Sequence, residues 1–291
     1  MSRIILILTF FLILYHAHGQ MPETNIYFVK YIKDGGTLIS TEIKEISNGT
    51  GYNNQPSFSP DCKKIYYTSN IADSIQTDLY AYDVSIQLSV KISKSNLSEY
   101  SPMIQPGLKS GLSHVRVEED KKQHLFVYGD DYSYPSNLVP CSDSVGYYIW
   151  SDSAHLGLII LNNGLEFHTY KLGDSFTKMI SKNAGRFINY DKKSKNYLFL
   201  SKDSTSRSIN FFNIKKGEVI YNIPTMSGCE DYAVDSNSDI YGSHDGKLFR
   251  YNKEYWEQVA DWSKQIGPFY RMSFCNCGEH LCVVSFKGKR P

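Results

Sequence analysis

The sequence predicts an all-β fold, namely a six-bladed β-propeller closed by N-terminal strands that complete the last blade. Three observations predict it. The composition favours strands, a strand-and-turn unit occurs six times, and two further strands precede the first copy. The 291 residues include 23 Tyr and 15 Phe, and aromatic side chains fit the half-buried surface of a pleated sheet.

The recurring unit is clearest in its first copy. Residues 55–61, 63–69 and 78–83 alternate apolar and polar side chains, and turn-forming residues such as a Pro-Asp pair separate them. Residues 87–93 follow as a fourth candidate strand. Four short strands within about 45 residues form the unit of a propeller blade.

The same unit recurs in weaker form along the rest of the chain. The first strands of the six copies begin near residues 55, 100, 147, 186, 231 and 271. Their spacing of about 40 to 47 residues is typical of propeller blades. The next strands are predicted at 112–117 and 123–128, 156–161 and 166–171, 197–201 and 208–214, 239–242 and 247–251, and 281–286.

The sixth copy ends after two strands, and residues 25–31 and 41–46 supply two strands before the first copy. We expect these N-terminal strands to complete the sixth blade, because joining the two chain ends in one sheet closes the ring and protects its edges. The alternative is an open β-sandwich with accidental periodicity.

The N-terminus has the pattern of an export signal. Arg3 supplies a positive charge, residues 4–14 form an apolar run, and residues 17–19 read Ala-His-Gly. The run is shorter than the ~20 apolar residues that a membrane-spanning helix needs. The sequence therefore predicts a signal peptide at residues 1–19 and a single propeller domain at 20–291, periplasmic or secreted, with no integral membrane segment after cleavage. An uncleaved anchor is the alternative.

Charge and motifs exclude several functions. A formal net charge of +1 argues against a nucleic-acid partner, because such binding relies on neutralising many phosphates. The sequence has no G-x-S-x-G, no H-E-x-x-H and no glycine-rich phosphate loop. It therefore predicts no catalytic residues.

Six cysteines follow the predicted signal peptide, and six cysteines allow 15 pairings. The run Cys275-x-Cys277-x-x-His280-x-Cys282 contains good zinc ligands, although its spacing is not that of a standard zinc knuckle. Zinc binding, a disulfide involving one of these cysteines and inert thiols all remain open from the sequence.

Residues 55–83 resemble the TolB-like, WD-repeat-like propeller repeat, whose blades carry an x-S-P-D-G-K-x-I-x-F-x-S pattern and end in a Y-x-x-D strand. The starts of the blades also resemble those of exported propeller proteins common in Bacteroidetes. The resemblance implies a six-bladed fold and export rather than a particular activity. One departure is Cys62, which stands where the repeat has a turn glycine and would cost stability if the turn keeps its type.

In a propeller, the first strand of each blade lines the central channel, so residues near its start converge at one mouth. Polar side chains at one mouth suit a small polar ligand, a peptide end or a cation, or they pair with one another and plug the channel. The residues expected at this mouth are Gln55, Glu99, Tyr100, Tyr147, Arg186, Glu230, Asp231 and Arg271.

These features favour an exported binding or scaffold module without a cofactor, whose partner is a protein or a small polar ligand of the cell envelope. The alternative is a metal-dependent hydrolase that resembles the six-bladed lactonases. In that hypothesis Glu99, Glu230 and Asp231 hold a divalent cation such as calcium, and a metal-bound water is the nucleophile. Positive charge on Arg186 and Arg271 would oppose a nearby cation, so the positions of the two arginines discriminate between the hypotheses.

Overall fold

A computed structural model describes most of the chain. The described residues are 21–47, 51–70, 74–108, 111–129, 131–132, 135–139, 143–202 and 206–287. The predicted signal peptide and Cys141 lie outside these ranges. The described residues form six antiparallel four-stranded sheets, as the sequence predicts, and include no helix of the length and hydropathy needed to cross a membrane.

The strands begin with β1 (Thr24–Asp34) and β2 (Thr37–Glu45). Blade 1 contains β3 (Asn53–Phe58), β4 (Lys64–Ser69), β5 (Asp78–Asp83) and β6 (Leu88–Lys91). Blade 2 contains β7 (Glu99–Ile104), β8 (Leu112–Val117), β9 (Gln123–Tyr128) and β10 (Ser136–Asn137). Blade 3 contains β11 (Ser144–Trp150), β12 (His155–Leu161), β13 (Leu165–Lys171) and β14 (Lys178–Ser181).

Blade 4 contains β15 (Ala184–Asp191), β16 (Asn196–Lys202), β17 (Arg207–Asn213) and β18 (Glu218–Pro224). Blade 5 contains β19 (Tyr232–Val234), β20 (Ile240–His244), β21 (Lys247–Tyr251) and β22 (Trp256–Asp261). The last two strands are β23 (Phe269–Phe274) and β24 (His280–Phe286).

The sixth blade joins the two ends of the chain, with the strand order β2-β1-β24-β23. β1 pairs with β24 from Thr24 opposite Phe286 to Lys30 opposite His280. This arrangement confirms the predicted closure of the ring. β2 begins at Thr37, four residues before the predicted start, because the Gly35-Gly36 pair adopts positive φ and makes a tight turn.

The core lies between neighbouring blades. The second strand of a blade is covered on both faces by adjacent sheets, so β12 and β16 are runs of almost continuously buried residues. The outermost strands, such as β6 and β18, are largely exposed. Between blades 3 and 4, Phe167 stacks on Phe199 with their ring centroids 4.5 Å apart, and Phe167 is fully buried. Aromatic packing of this kind holds the inner strands in fixed positions around the channel.

Candidate functional site

A cavity of about 400 Å³ occupies the axis of the propeller, and the inner strands of the blades line it. At the end where those strands begin, each blade contributes one side chain to a ring, which we name the mouth ring. Its members occupy equivalent places in the six copies of the repeat. They are Gln55, Ser101, Tyr147, Arg186, Asp231 and Arg271.

Irregularities in the inner strands aim these side chains at the channel. The pairing with the second strand shifts register beside the ring residue in five of the six blades. Gln55 and Ser101 have φ of 55° and 53°, which is the left-handed region. An extra residue in one strand bends it and redirects a side chain, and such bulges are common beside functional sites. The bulges therefore place one polar residue in the ring in each of these five blades.

Asp231 contacts both arginines of the mouth ring. Its carboxylate accepts a hydrogen bond from Arg186 Nη2, and its other oxygen lies 3.3 Å from Arg271 Nη2. The Asp231 side chain is 8 % exposed and that of Arg271 is 16 % exposed. Burial is the largest influence on both guanidinium groups and lowers their pKa, but the Asp231 carboxylate and the nearby tyrosines together raise the pKa by more, so both groups stay charged.

Neighbouring groups hold Arg271 in place. Its Nη1 donates to Asn54 Oδ1 at 2.9 Å, and the amide of Asn54 donates in turn to the Tyr270 hydroxyl. The Arg271 guanidinium also lies 5.8 Å from the ring centroids of Tyr147 and Tyr270. A cation near aromatic faces is stabilised by their negative potential. The guanidinium is therefore ordered before any ligand binds.

Glu230 does not line the cavity but lies beside the ring. Its carboxylate binds Lys202 Nζ and Arg207 Nη1, both at 3.0 Å. Arg186 Nε lies 4.0 Å from the same carboxyl group. Four cationic side chains thus surround the two carboxylates of Glu230 and Asp231, and this side of the mouth carries a net positive charge.

The structure places Ser101, rather than Glu99 or Tyr100, in the mouth ring. The bulge in β7 shifts the alternation of side chains, so Glu99 points into the protein and its side chain is fully buried. A signal for Ser101 is present in the sequence, because Gln55 and Ser101 both precede a proline. Aligning the repeats on that proline would have found it.

Glu99 belongs to a separate buried cluster in blade 2. Its Oε1 accepts hydrogen bonds from the Tyr128 hydroxyl at 2.6 Å and the Ser95 hydroxyl at 3.0 Å. His114 Nε2 lies 3.5 Å away, which makes it an electrostatic neighbour rather than a well-formed hydrogen-bond partner. Burial raises the pKa of the Glu99 carboxyl, but His114 and the two hydroxyls lower it by more, to below the usual range.

The proposed cation ligands do not fit a divalent cation. Glu99 is buried outside the cavity, and Asp231 lies between two arginines, both within salt-bridge reach. A cation bound to Asp231 would face two guanidinium groups, which oppose it by charge repulsion. Within the described ranges, the one cluster of three potential metal-ligating side chains consists of Cys62, Cys275 and Cys277.

Other parts of the cavity were not expected from the sequence. The residues two positions after the ring residues form its middle, and Met103, Ile149 and Ile188 make that layer partly apolar. The period of two along a strand is the signal that could have predicted this layer. At the far end, the side chains of Lys193 and Asn276 make the lining polar again. The cavity is therefore polar at both ends and partly apolar between them.

The cysteines that meet in the structure are not those of the sequence run from Cys275 to Cys282. Cys62 and Cys275 form a disulfide across 213 residues, with a Cα–Cα distance of 6.0 Å. Among the described cysteines, Cys229 and Cys282 are buried free thiols and Cys277 is an exposed one. Cys62 has φ of 61°, so the turn keeps the conformation that glycine has in the repeat. This conformation costs a non-glycine residue stability, as the sequence predicts for Cys62 if the turn keeps its type.

Solved structures share this fold at low sequence identity. A putative TolB from Agrobacterium tumefaciens matches with a TM-score of 0.68 and 12% identity, over 92% of this chain and 99% of that one. TolB from Acinetobacter baumannii matches with a TM-score of 0.60 and 13% identity, over 93% of this chain and 66% of the other. An oligogalacturonate lyase from Vibrio parahaemolyticus matches with a TM-score of 0.57 and 12% identity, over 90% of this chain and 91% of the other.

No family model matches this sequence, and the search of curated proteins finds no match. The structural similarity therefore establishes the class of fold. The chain has a six-bladed β-propeller fold, as its repeats predict, and the two TolB structures share that fold.

Proposed function

We propose that this protein is a non-enzymatic binding module of the cell envelope, and that the mouth ring binds a small ligand or a peptide end through a carboxylate. The observation that carries the proposal is the pair Arg186 and Arg271 on either side of Asp231, at one end of a cavity of about 400 Å³. A cavity of this size accommodates a small molecule or a few residues of peptide.

The arginines offer more donors than their present partners use. Each guanidinium has five N–H donors, which is more than the one hydrogen bond of Arg186 and the two of Arg271 to described residues use. Arginine binds carboxylates in a bidentate manner, with both strength and defined geometry. The net positive charge around Arg186 and Glu230 favours an anion over a cation. An incoming carboxylate would share the two arginines with Asp231 or replace it.

The fold comparison supports the binding role and keeps an enzymatic one as the second candidate. The rigid ring of a propeller presents loops and channel residues in fixed positions, which suits binding. The similarity to an oligogalacturonate lyase favours no reaction here, because one fold hosts many functions. It does suggest including uronic acids, which carry carboxylates, among the ligands tested. Residence in the periplasm or outside the cell remains part of the proposal.

A thermal-shift and calorimetric screen tests this function. The probes are dicarboxylic acids, uronic acids, short peptides with free or amidated C-termini, and Ca²⁺ or Mn²⁺. A ligand at 100 times its dissociation constant stabilises a protein by about 2.7 kcal/mol, which raises the melting temperature measurably. We expect stabilisation by carboxylates, a smaller effect of amidated peptides, and loss of the effect in Arg271→Gln.

Arg250→Gln is the matched control, because Arg250 pairs with Glu257 on β21 and β22 and does not line the cavity. It should retain binding. A shift caused only by Ca²⁺ or Mn²⁺ would instead favour the metal-dependent hydrolase. No shift with any probe would mean that the charges of the mouth ring serve as a structural plug.

A further inference from the structure

Three sulfur atoms meet where blade 1 approaches blade 6. The Sγ atoms of Cys62, Cys275 and Cys277 all lie within 4.8 Å of one another. Two of them form the disulfide, and the third belongs to an exposed thiol. Cys62 lies in the turn between β3 and β4, whereas Cys275 and Cys277 lie in the turn between β23 and β24. A free thiol within reach of a disulfide is the arrangement that thiol–disulfide exchange requires.

We propose that these residues form an intramolecular exchange centre in which Cys62 changes its partner between Cys275 and Cys277. The Cys277 thiol loses its proton, and the thiolate attacks Cys62 Sγ. The Cys62–Cys277 bond forms as the Cys62–Cys275 bond breaks. Cys275 leaves as a thiolate and takes up a proton, so the step is neutral in electrons and protons and needs no external oxidant.

The turn between β23 and β24 suits either cysteine, Cys275 or Cys277, as the partner of Cys62. The backbone N–H of Cys277 donates to Cys275 Sγ at 3.3 Å, so a thiolate released there already has a hydrogen-bond donor. A stabilised leaving thiolate speeds the exchange. Cys277 is exposed and meets solvent, where its proton can leave, whereas Cys275 is 1 % exposed. The two states therefore differ in which thiol is available to the surroundings.

The exchange centre adjoins the central cavity. Asn276 lies between the two alternative cysteines and lines the far end of the cavity. A change of the Cys62 partner therefore takes place next to a residue of the cavity lining.

Disulfide mapping of the full chain tests the proposal. The protein is incubated at pH 8, its free thiols are blocked with N-ethylmaleimide, and the unreduced protein is digested and analysed by mass spectrometry. We expect both Cys62–Cys275 and Cys62–Cys277 peptides, with the label divided between Cys277 and Cys275. Label on Cys275 should disappear in Cys277→Ser, which keeps the original disulfide.

Three further variants keep the test decisive. Cys275→Ser should retain one disulfide, Cys62–Cys277, and should unfold at a higher denaturant concentration than Cys62→Ser, which removes both pairings. Cys282→Ser, a change at a buried free thiol, should leave the labelling of Cys275 and Cys277 unchanged. The proposal is overturned if Cys62 and Cys277 are both labelled in folded Cys275→Ser, or if the wild type carries label only on Cys277 after prolonged incubation.

Discussion

Arg271 Nη2 lies 3.3 Å from Asp231 Oδ1, although the two residues belong to different blades and are 40 positions apart. The same carboxylate accepts a hydrogen bond from Arg186, which belongs to blade 4. One buried anion therefore links three of the six blades at the mouth of the channel. Two guanidinium groups around one carboxylate also define what this mouth can bind, because they retain an excess of positive charge and of donors.

Asp231→Asn tests that relationship. The change leaves two partly buried guanidinium groups close together without their anion, so we expect the free energy of unfolding to fall by about 2 to 4 kcal/mol. Added dicarboxylates should stabilise the variant more than the wild type, because they restore the missing charge. Denaturant titrations with and without ligand measure both effects. Glu230→Gln, a change outside the cavity, should cost less, and an equal loss would contradict the central role of Asp231.

Glu99 makes the stability of the protein depend on pH. Its folded pKa lies below the ordinary value, so its contribution is complete above the unfolded pKa of a glutamate, about 4.3, and is lost as the pH falls through the folded pKa. Denaturation measured between pH 3 and pH 7 should show this loss in the acidic part of the range. Glu99→Gln should be less stable than the wild type near pH 7 and show a flatter profile. Identical slopes for the two proteins would refute the assignment.

Phe167→Ala tests the packing between blades 3 and 4. Phe167 is fully buried and contacts the rings of Phe199, Tyr197 and Phe212. Its truncation leaves a cavity that the surrounding strands cannot fill, and we expect a loss of about 3 to 5 kcal/mol. Phe176→Ala is the control, because that ring is 84 % exposed, and it should change stability by less than about 0.5 kcal/mol.

Gly185→Ala tests the bulge that positions Arg186. A Cβ at residue 185 would lie 2.5 Å from Cδ2 of the fully buried Leu200, which has little space to move. We expect a loss of about 1 to 3 kcal/mol from overpacking, together with weaker carboxylate binding, because Arg186 must shift. In the double variant Gly185→Ala with Leu200→Ala, removal of the clash should make the combined loss smaller than the sum of the single losses. Strict additivity would show that the bulge tolerates a side chain.

The second and third strands of most blades were predicted close to their observed positions because their signal is local. β8 and β9 occupy the predicted residues, since alternation and turn residues bound them. The outer strands β10, β14, β18 and β22 were not predicted. β10 and β14 have too few residues to show a period, and β18 is almost entirely exposed, so burial imposes no alternation on it. Glu99 was expected at the mouth, where Ser101 lies instead. A bulge of one residue changes the face to which every preceding side chain points, and the pattern of β7 does not reveal it.

The sequence by itself determined the repeat, the number of blades and the closure of the ring by the N-terminal strands. These properties follow from the alternation of side chains, turn chemistry and the spacing of the copies, all of which are local or periodic. Only the tertiary structure decided that Asp231 lies between Arg186 and Arg271, that Glu99 is buried with His114, and that Cys62 pairs with Cys275 beside Cys277. Those relationships join residues from different strands or blades, and their distances depend on how the closed ring and its bulges orient each side chain.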